Sequence, residues 1–137
     1  MEVIVVRRPE DAAPIVADAY SALLGAKPDA VLGLATGSTP LGVYRELVRR
    51  HREEGLSFAR ARGFNLDEYV DIDPNDPRSF RATMNRSLVH PLGLDPERVR
   101  LPRGQSSDPQ AEARRYAAEL AEAGGLGLQL LGLGLNG

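Results

Sequence analysis

The sequence predicts an α/β fold, a Rossmann-like three-layer αβα domain with a mostly parallel sheet of about five strands. Short apolar runs typical of buried strands alternate along the 137 residues with longer segments of helical periodicity. Strands that alternate with helices indicate βαβ units, and right-handed crossovers place the helices on both faces of a parallel sheet. No linker or internal repeat divides the chain, so residues 1–137 are expected to form a single domain.

Five segments carry the strand pattern, and the first of them is β-branched throughout. They are Val3–Val6, Val31–Ala35, Gly63–Leu66, Val99–Leu101 and Leu126–Leu133. The last is apolar along nearly its whole length, which is typical of a parallel strand buried on both faces.

Four segments carry the helix pattern, namely Pro9–Leu24, Leu41–Arg52, Arg78–Val89 and Asp108–Ala123. Thr39 is the predicted N-cap of the second helix, with Pro40 in its first turn and Gly55 at its end. Asp108 and Pro109 supply the same start signals for the last helix.

Composition excludes several classes of function. The formal net charge of −2 argues against binding nucleic acid or a membrane surface. The absence of cysteine excludes disulfides and thiolate chemistry, and the two histidines, His51 and His90, lie too far apart to suggest a metal site. No apolar run reaches 18 residues, and the N-terminal residues do not resemble a signal peptide, so we expect a cytoplasmic protein without a metal site.

A polar segment follows the second predicted strand and leads into a predicted helix. It reads Thr36-Gly37-Ser38-Thr39-Pro40. Glycine lets the backbone approach an anion closely, and hydroxyls with amide N–H groups at a helix N-terminus then bind it. This pattern predicts a phosphate site, although a plain strand-to-helix turn with a threonine cap explains it equally well.

Two adjacent carboxylates, Asp67 and Glu68, follow the third predicted strand. Consecutive side chains point apart, so one of them is expected to face a site and to act as a general base. The alternative is a solvated acidic turn.

A third segment with functional signals lies at the C-terminal end. Gly132, Gly134 and Gly137 surround Asn136, which suggests backbone that lies close to a ligand, or else a flexible glycine-rich terminus. All three polar segments follow strands. Since ligands of parallel α/β sheets bind beyond the carboxyl ends of the strands, we expect these segments to meet at one edge of the sheet.

Together these segments resemble the glucosamine-6-phosphate deaminase (isomerase) family. The segments that carry the resemblance are Leu34–Pro40, Phe64–Val70, Asn75–Phe80 and Leu131–Gly137, in family order. The Thr-Gly-Ser-Thr-Pro element is shared with 6-phosphogluconolactonases, whose second motif usually reads Asp-Glu-Arg. Tyr69 stands in place of that arginine and favours the deaminases.

The resemblance implies a set of site residues and a reaction. Thr36, Gly37, Ser38, Thr39 and Glu68 are expected to bind a sugar 6-phosphate. Asp67 is expected to move a proton between C2 and C1, converting glucosamine 6-phosphate to fructose 6-phosphate with release of ammonia. Asn136 is expected to be a second catalytic residue, in the glycine-rich catalytic loop, and no cofactor is implied.

The resemblance covers roughly the N-terminal half of the family fold. The ring-opening histidine and the later phosphate-binding residues of the family have no counterpart in the 137 residues. We therefore expect a truncated fold with little activity of its own, and as partner either a second copy in a homo-oligomer or a complementing C-terminal chain. The alternatives are a 6-phosphogluconolactonase-like hydrolase, a non-catalytic sugar-phosphate-binding module, or a degenerate product without a function of its own.

Overall fold

Four parallel strands form the sheet of the computed structural model, which describes residues 2–133. They are β1 (Val31–Leu34), β2 (Arg62–Asn65), β3 (Val99–Arg100) and β4 (Leu128–Gln129). Their spatial order is β3-β2-β1-β4, so β2 and β3 lie on one side of β1 and β4 lies on the other. This reversal places a topological switch point between β1 and β4.

Four α-helices connect and cover these strands. They are α1 (Ala12–Ala26), α2 (Thr39–Glu54), α3 (Phe80–Met84) and α4 (Pro109–Glu122). A 3₁₀ turn, Pro9–Asp11, precedes α1, a π-helical segment, Asn85–Val89, continues α3, and a second 3₁₀ turn, Pro96–Arg98, precedes β3. Asp108 caps α4 as predicted, since its carboxylate accepts a hydrogen bond from the Ala111 amide at 3.0 Å.

Helices lie on both faces of the sheet, which confirms the predicted α/β fold. On one face α1 packs against α2, and α2 packs against the π-helical segment. Buried apolar side chains of these elements, including Tyr20, Leu47 and Leu88, form the core with β1. On the other face Tyr116 of α4 packs against Phe64 of β2, with 5.7 Å between the ring centres.

The predicted count of five strands is wrong, because Val3–Val6 forms no strand. Its first three side chains are exposed, with 72% of Val3 and 90% of Val5 accessible, and Val6 is half-buried. A β-branched run suits a strand only where a neighbouring backbone completes its hydrogen bonds, and no strand of the described sheet lies beside this segment. The last strand is also shorter than predicted, because only Leu128 and Gln129 pair with β1.

The third predicted helix starts later than expected and changes character midway. Ser79 is its N-cap, accepting a hydrogen bond from the Ala82 amide at 2.9 Å, so the α-helix begins at Phe80 rather than Arg78. Its second half is π-helical. Within residues 2–133, no helix is both long and apolar enough to cross a membrane.

Candidate active site

The register of β1 and β2 brings two of the predicted polar segments to the same edge of the sheet. Leu34 pairs with Asn65, and the Leu66 amide donates to the Leu34 carbonyl at 3.2 Å. Thr36 and Asp67 each lie two residues beyond this pair. Since neighbouring strands are about 4.8 Å apart, both segments leave the sheet side by side at the carboxyl ends of β1 and β2, and the first of them borders the switch point between β1 and β4.

The first of these segments, residues 36–39, carries the predicted phosphate site and is called the phosphate loop below. Gly37 has a φ of 103°, in the region that favours glycine, and a Cβ placed there would meet no atom within 4 Å. Glycine is therefore required at this position for its backbone conformation rather than for lack of space. Thr36 is half-buried, whereas Ser38 and Thr39 are exposed.

The N-terminus of α2 directly follows the phosphate loop. The predicted N-cap at Thr39 is wrong, because the 16-residue helix already begins there and Ser38 before it has helical angles. Pro40 in the first turn favours this early start. Among residues 2–133, no side chain caps this N-terminus. Its amide N–H groups and the positive end of the helix dipole are thus directed toward the loop, an arrangement that binds anions.

Asp67 lies on the neighbouring segment with its side chain exposed. The Asn65 amide group donates to the Asp67 carbonyl at 2.9 Å, which fixes the backbone of Asp67. Partial enclosure at the strand end, followed by the charge of the adjacent Glu68, raises the pKa of the Asp67 carboxyl. Groups that transfer protons commonly have their pKa shifted in this way.

The carboxylate of Glu68 points to the start of α3. One oxygen accepts from the amides of Tyr69 and Phe80, and the other from the amide of Arg81, each at 2.9 Å. Both oxygens are thus engaged with backbone donors, and the role of Glu68 in binding a substrate stays a prediction. These bonds tie the segment after β2 to α3.

Two further contacts hold the same segment. The Asp71 amide donates to the Gly104 carbonyl at 2.7 Å, and the Tyr69 ring lies on the Phe80 ring at 4.4 Å. The strand-to-helix connection that contains Gly104 is itself held by the buried carboxylate of Glu112, which accepts from the Arg103 amide at 2.8 Å. Hydrogen bonds from Arg115 lower the pKa of Glu112 to about 2, so it remains charged at neutral pH.

Two residues near the site escaped sequence analysis, Tyr44 and Asn65. Tyr44 hydrogen-bonds the backbone of Ala35, and Asn65 orients Asp67. The sequence gives one indication of a role for Asn65, because it is a polar residue within an apolar strand. It gives none for Tyr44, which resembles any aromatic residue on the apolar face of a helix.

The remaining predictions concern the C-terminal segment and metals. Gly132 is exposed, whereas Asn136 lies outside the described residues. Within residues 2–133, no group of three or more His, Cys, Asp or Glu side chains is arranged to hold a metal ion.

Comparison with known proteins identifies the family. The family model for glucosamine-6-phosphate isomerases/6-phosphogluconolactonase matches residues 8–137. The chain belongs to this family. Its membership confirms the resemblance that the sequence motifs predicted.

Two bacterial members of the family are similar over the whole of this chain. The glucosamine-6-phosphate deaminase of Arthrobacter sp. strain FB24 is 45% identical over 137 residues, which are 100% of this chain and 53% of that protein. The deaminase of Rhodococcus jostii strain RHA1 is 46% identical over 100% of this chain and 52% of its own length. The chain therefore spans about half the length of the curated relatives it matches.

Solved structures of family members support the fold. A monomeric glucosamine-6-phosphate deaminase superposes with a TM-score of 0.96 at 41% identity, covering 100% of this chain and 57% of that one. The 6-phosphogluconolactonase of Thermotoga maritima superposes with a TM-score of 0.67 at 18% identity, covering 89% of this chain and 53% of the lactonase. At 18% identity, the similarity to the lactonase shows a shared fold and nothing more.

Proposed function

We propose that this chain forms the sugar-phosphate-binding half of a glucosamine-6-phosphate deaminase. The observation that carries the proposal is the parallel register of Leu34 with Asn65, which sets the phosphate loop beside Asp67 at the carboxyl ends of β1 and β2. An anion site and a proton-transfer group thus lie within the reach of one small ligand.

The phosphate loop binds the 6-phosphate of the sugar. Backbone N–H groups at the start of α2 and the hydroxyls of Thr36, Ser38 and Thr39 supply donors, and the helix dipole favours the negative charge. The left-handed backbone of Gly37 permits the sharp turn from the strand into the helix.

Asp67 is the general base of the proposed reaction. It takes the proton from C2 of the open-chain amino sugar and returns it to C1, which converts the 2-amino aldose into a 2-imino ketose. Water then adds to C2 and ammonia leaves, giving fructose 6-phosphate. The hydrogen moves within one substrate, so no redox cofactor is consumed. Asn136 belongs to the same proposal as a member of the catalytic loop.

A fusion tests this function most cleanly, because the relatives are about twice as long as this chain. Residues 1–137 are joined to the C-terminal half of the Arthrobacter protein, and ammonia release from glucosamine 6-phosphate is measured. We expect the fusion to release ammonia, and the 137-residue chain alone to be more than tenfold slower. Hydrolysis of 6-phosphogluconolactone without ammonia release would favour the lactonase reading, and activity toward neither substrate would refute the proposed enzyme.

We further propose that β4 pairs with polypeptide outside this chain, either a second copy or a complementing C-terminal chain. Within residues 2–133 β4 is an edge strand, and the apolar residues after it are accessible, with Leu131 65% and Leu133 84% exposed. Open strand edges and exposed apolar side chains favour association. We expect the purified chain to sediment as a dimer or larger species, and a monomer at all concentrations would count against self-association.

A further inference from the structure

The last buried residue of the segment before the phosphate loop depends on a single side chain for its hydrogen bonds. Pairing of β1 ends at Leu34, and Ala35 follows with only 3% of its surface exposed. The Ala35 amide donates to the hydroxyl oxygen of Tyr44 at 3.0 Å, and the same hydroxyl donates to the Ala35 carbonyl at 2.6 Å. Within residues 2–133, one phenol thus satisfies both backbone groups, which would otherwise be buried there without partners.

Tyr44 itself is held firmly by its surroundings. Its side chain belongs to α2 and is only 1% exposed, packed within the hydrophobic core. Burial raises the pKa of Tyr44 to about 12, so the phenol keeps its proton at neutral pH and remains a donor to Ala35. The ring therefore joins the end of β1 to α2 across the phosphate loop.

The loop between these two ends has few other constraints of its own. Gly37 has the backbone freedom of glycine, and no side chain of the described part of the chain caps the start of α2. A loop of this kind presents its N–H groups in one arrangement only if its two ends are fixed relative to each other.

We propose that Tyr44 is the positioning residue of the phosphate loop. By holding Ala35 at a fixed distance from α2, it directs the backbone N–H groups of residues 36–39 toward one anion. This inference rests on the proposed function for the identity of the anion, whereas the control of loop shape by Tyr44 stands on the hydrogen bonds to Ala35.

A second buried tyrosine provides a matched control. Tyr20 of α1 is 0% exposed and belongs to the same core. Within the described residues, its hydroxyl has no hydrogen-bond partner. Tyr20→Phe and Tyr44→Phe remove the same atom from the same core, but only the second removes bonds to the segment before the phosphate loop.

The experiment compares the two variants in the 137-residue chain by amide hydrogen exchange and by titration with glucosamine 6-phosphate. For Tyr44→Phe we expect exchange at residues 35–39 to accelerate at least tenfold relative to the sheet, and affinity for glucosamine 6-phosphate to fall about tenfold. Tyr20→Phe should change neither quantity.

Three outcomes would overturn the role of Tyr44. The first is unchanged exchange at residues 35–39 in Tyr44→Phe, and the second is equal acceleration of exchange throughout the chain. The third is loss of the whole fold in Tyr44→Phe while Tyr20→Phe stays folded, because Tyr44 would then act only as a core residue. If the unaltered chain binds no sugar phosphate, the proposed function fails, and the exchange measurement still decides whether Tyr44 controls the loop.

Discussion

Replacing Asp67 with asparagine is expected to lower ammonia release from glucosamine 6-phosphate by about 10²- to 10⁴-fold, the usual contribution of a positioned general base. The fusion described above is the appropriate background, because it carries both halves of the family fold. Asparagine preserves the shape of the side chain but cannot accept the C2 proton. We therefore expect the rate to fall, while affinity for the sugar phosphate, which depends on the neighbouring phosphate loop, stays within a few-fold of its original value.

Asp71→Asn is the matched control for this substitution. Asp71 lies in the same segment and is exposed, and its φ of 60° is a conformation that asparagine adopts readily. We expect the control to retain at least half of the activity. Equal losses in both variants would mean that the segment tolerates no change, and retention of activity within tenfold in Asp67→Asn would exclude Asp67 as the base.

The dependence of the rate on pH supplies a second readout of Asp67. Enclosure and the Glu68 charge raise its pKa, so the basic form is lost at a higher pH than for an ordinary aspartate as the solution is acidified. We expect activity to fall on the acid side through that raised pKa, and this fall to be absent from any residual activity of Asp67→Asn.

Replacing Gly104 with alanine is expected to lower the free energy of unfolding by about 1–3 kcal/mol and to displace the segment that carries Asp67. A Cβ at this position would lie 2.2 Å from the backbone oxygen of Tyr69 and 3.0 Å from a methyl group of Ile72. The backbone carbonyl of Tyr69 cannot rotate out of the way as a side chain can. The Asp71–Gly104 hydrogen bond of 2.7 Å should therefore lengthen or break.

Gly25→Ala is the control for this prediction. Gly25 lies in the last turn of α1, and a Cβ there would meet nothing within 4 Å. Alanine is favoured over glycine in helices by roughly 0.5–1 kcal/mol, so the control should be neutral or slightly stabilising. Urea unfolding gives the free energies, and amide spectra report on residues 67–72. Unchanged stability and unchanged spectra in Gly104→Ala would show that the two segments separate easily.

Most of the fold follows from local patterns in the sequence. Apolar runs alternating with amphipathic segments identify β1, β2 and their helices, and Asp108 with Pro109 marks the start of α4. The errors arise where tertiary structure decides. Val3–Val6 has the composition of a strand but no neighbouring backbone in the described sheet, and Leu126–Leu133 pairs with β1 only at Leu128 and Gln129.

The sequence predicted which loops form the candidate site but not the hydrogen bonds that hold those loops in place. Polar residues at strand ends made residues 36–39 and Asp67 candidates for a site, because parallel strands present their carboxyl ends at one edge. The interactions that hold these loops join residues distant in the chain. Glu68 reaches amides 12 and 13 residues away, and Tyr44 reaches Ala35 nine residues before it. Such pairs leave no periodic signal, since only the folded structure brings them together.

The most direct test of the central claim is a titration of the isotope-labelled chain with glucosamine 6-phosphate, followed by the amide signals of every residue. Glucosamine without the phosphate is the matched control. We expect glucosamine 6-phosphate to shift the signals of Thr36–Thr39 and of Asp67–Tyr69 together, and glucosamine to shift neither group at the same concentration. Shifts elsewhere in the chain without these two groups, or equal shifts with glucosamine, would contradict a sugar-phosphate site formed by the two loops.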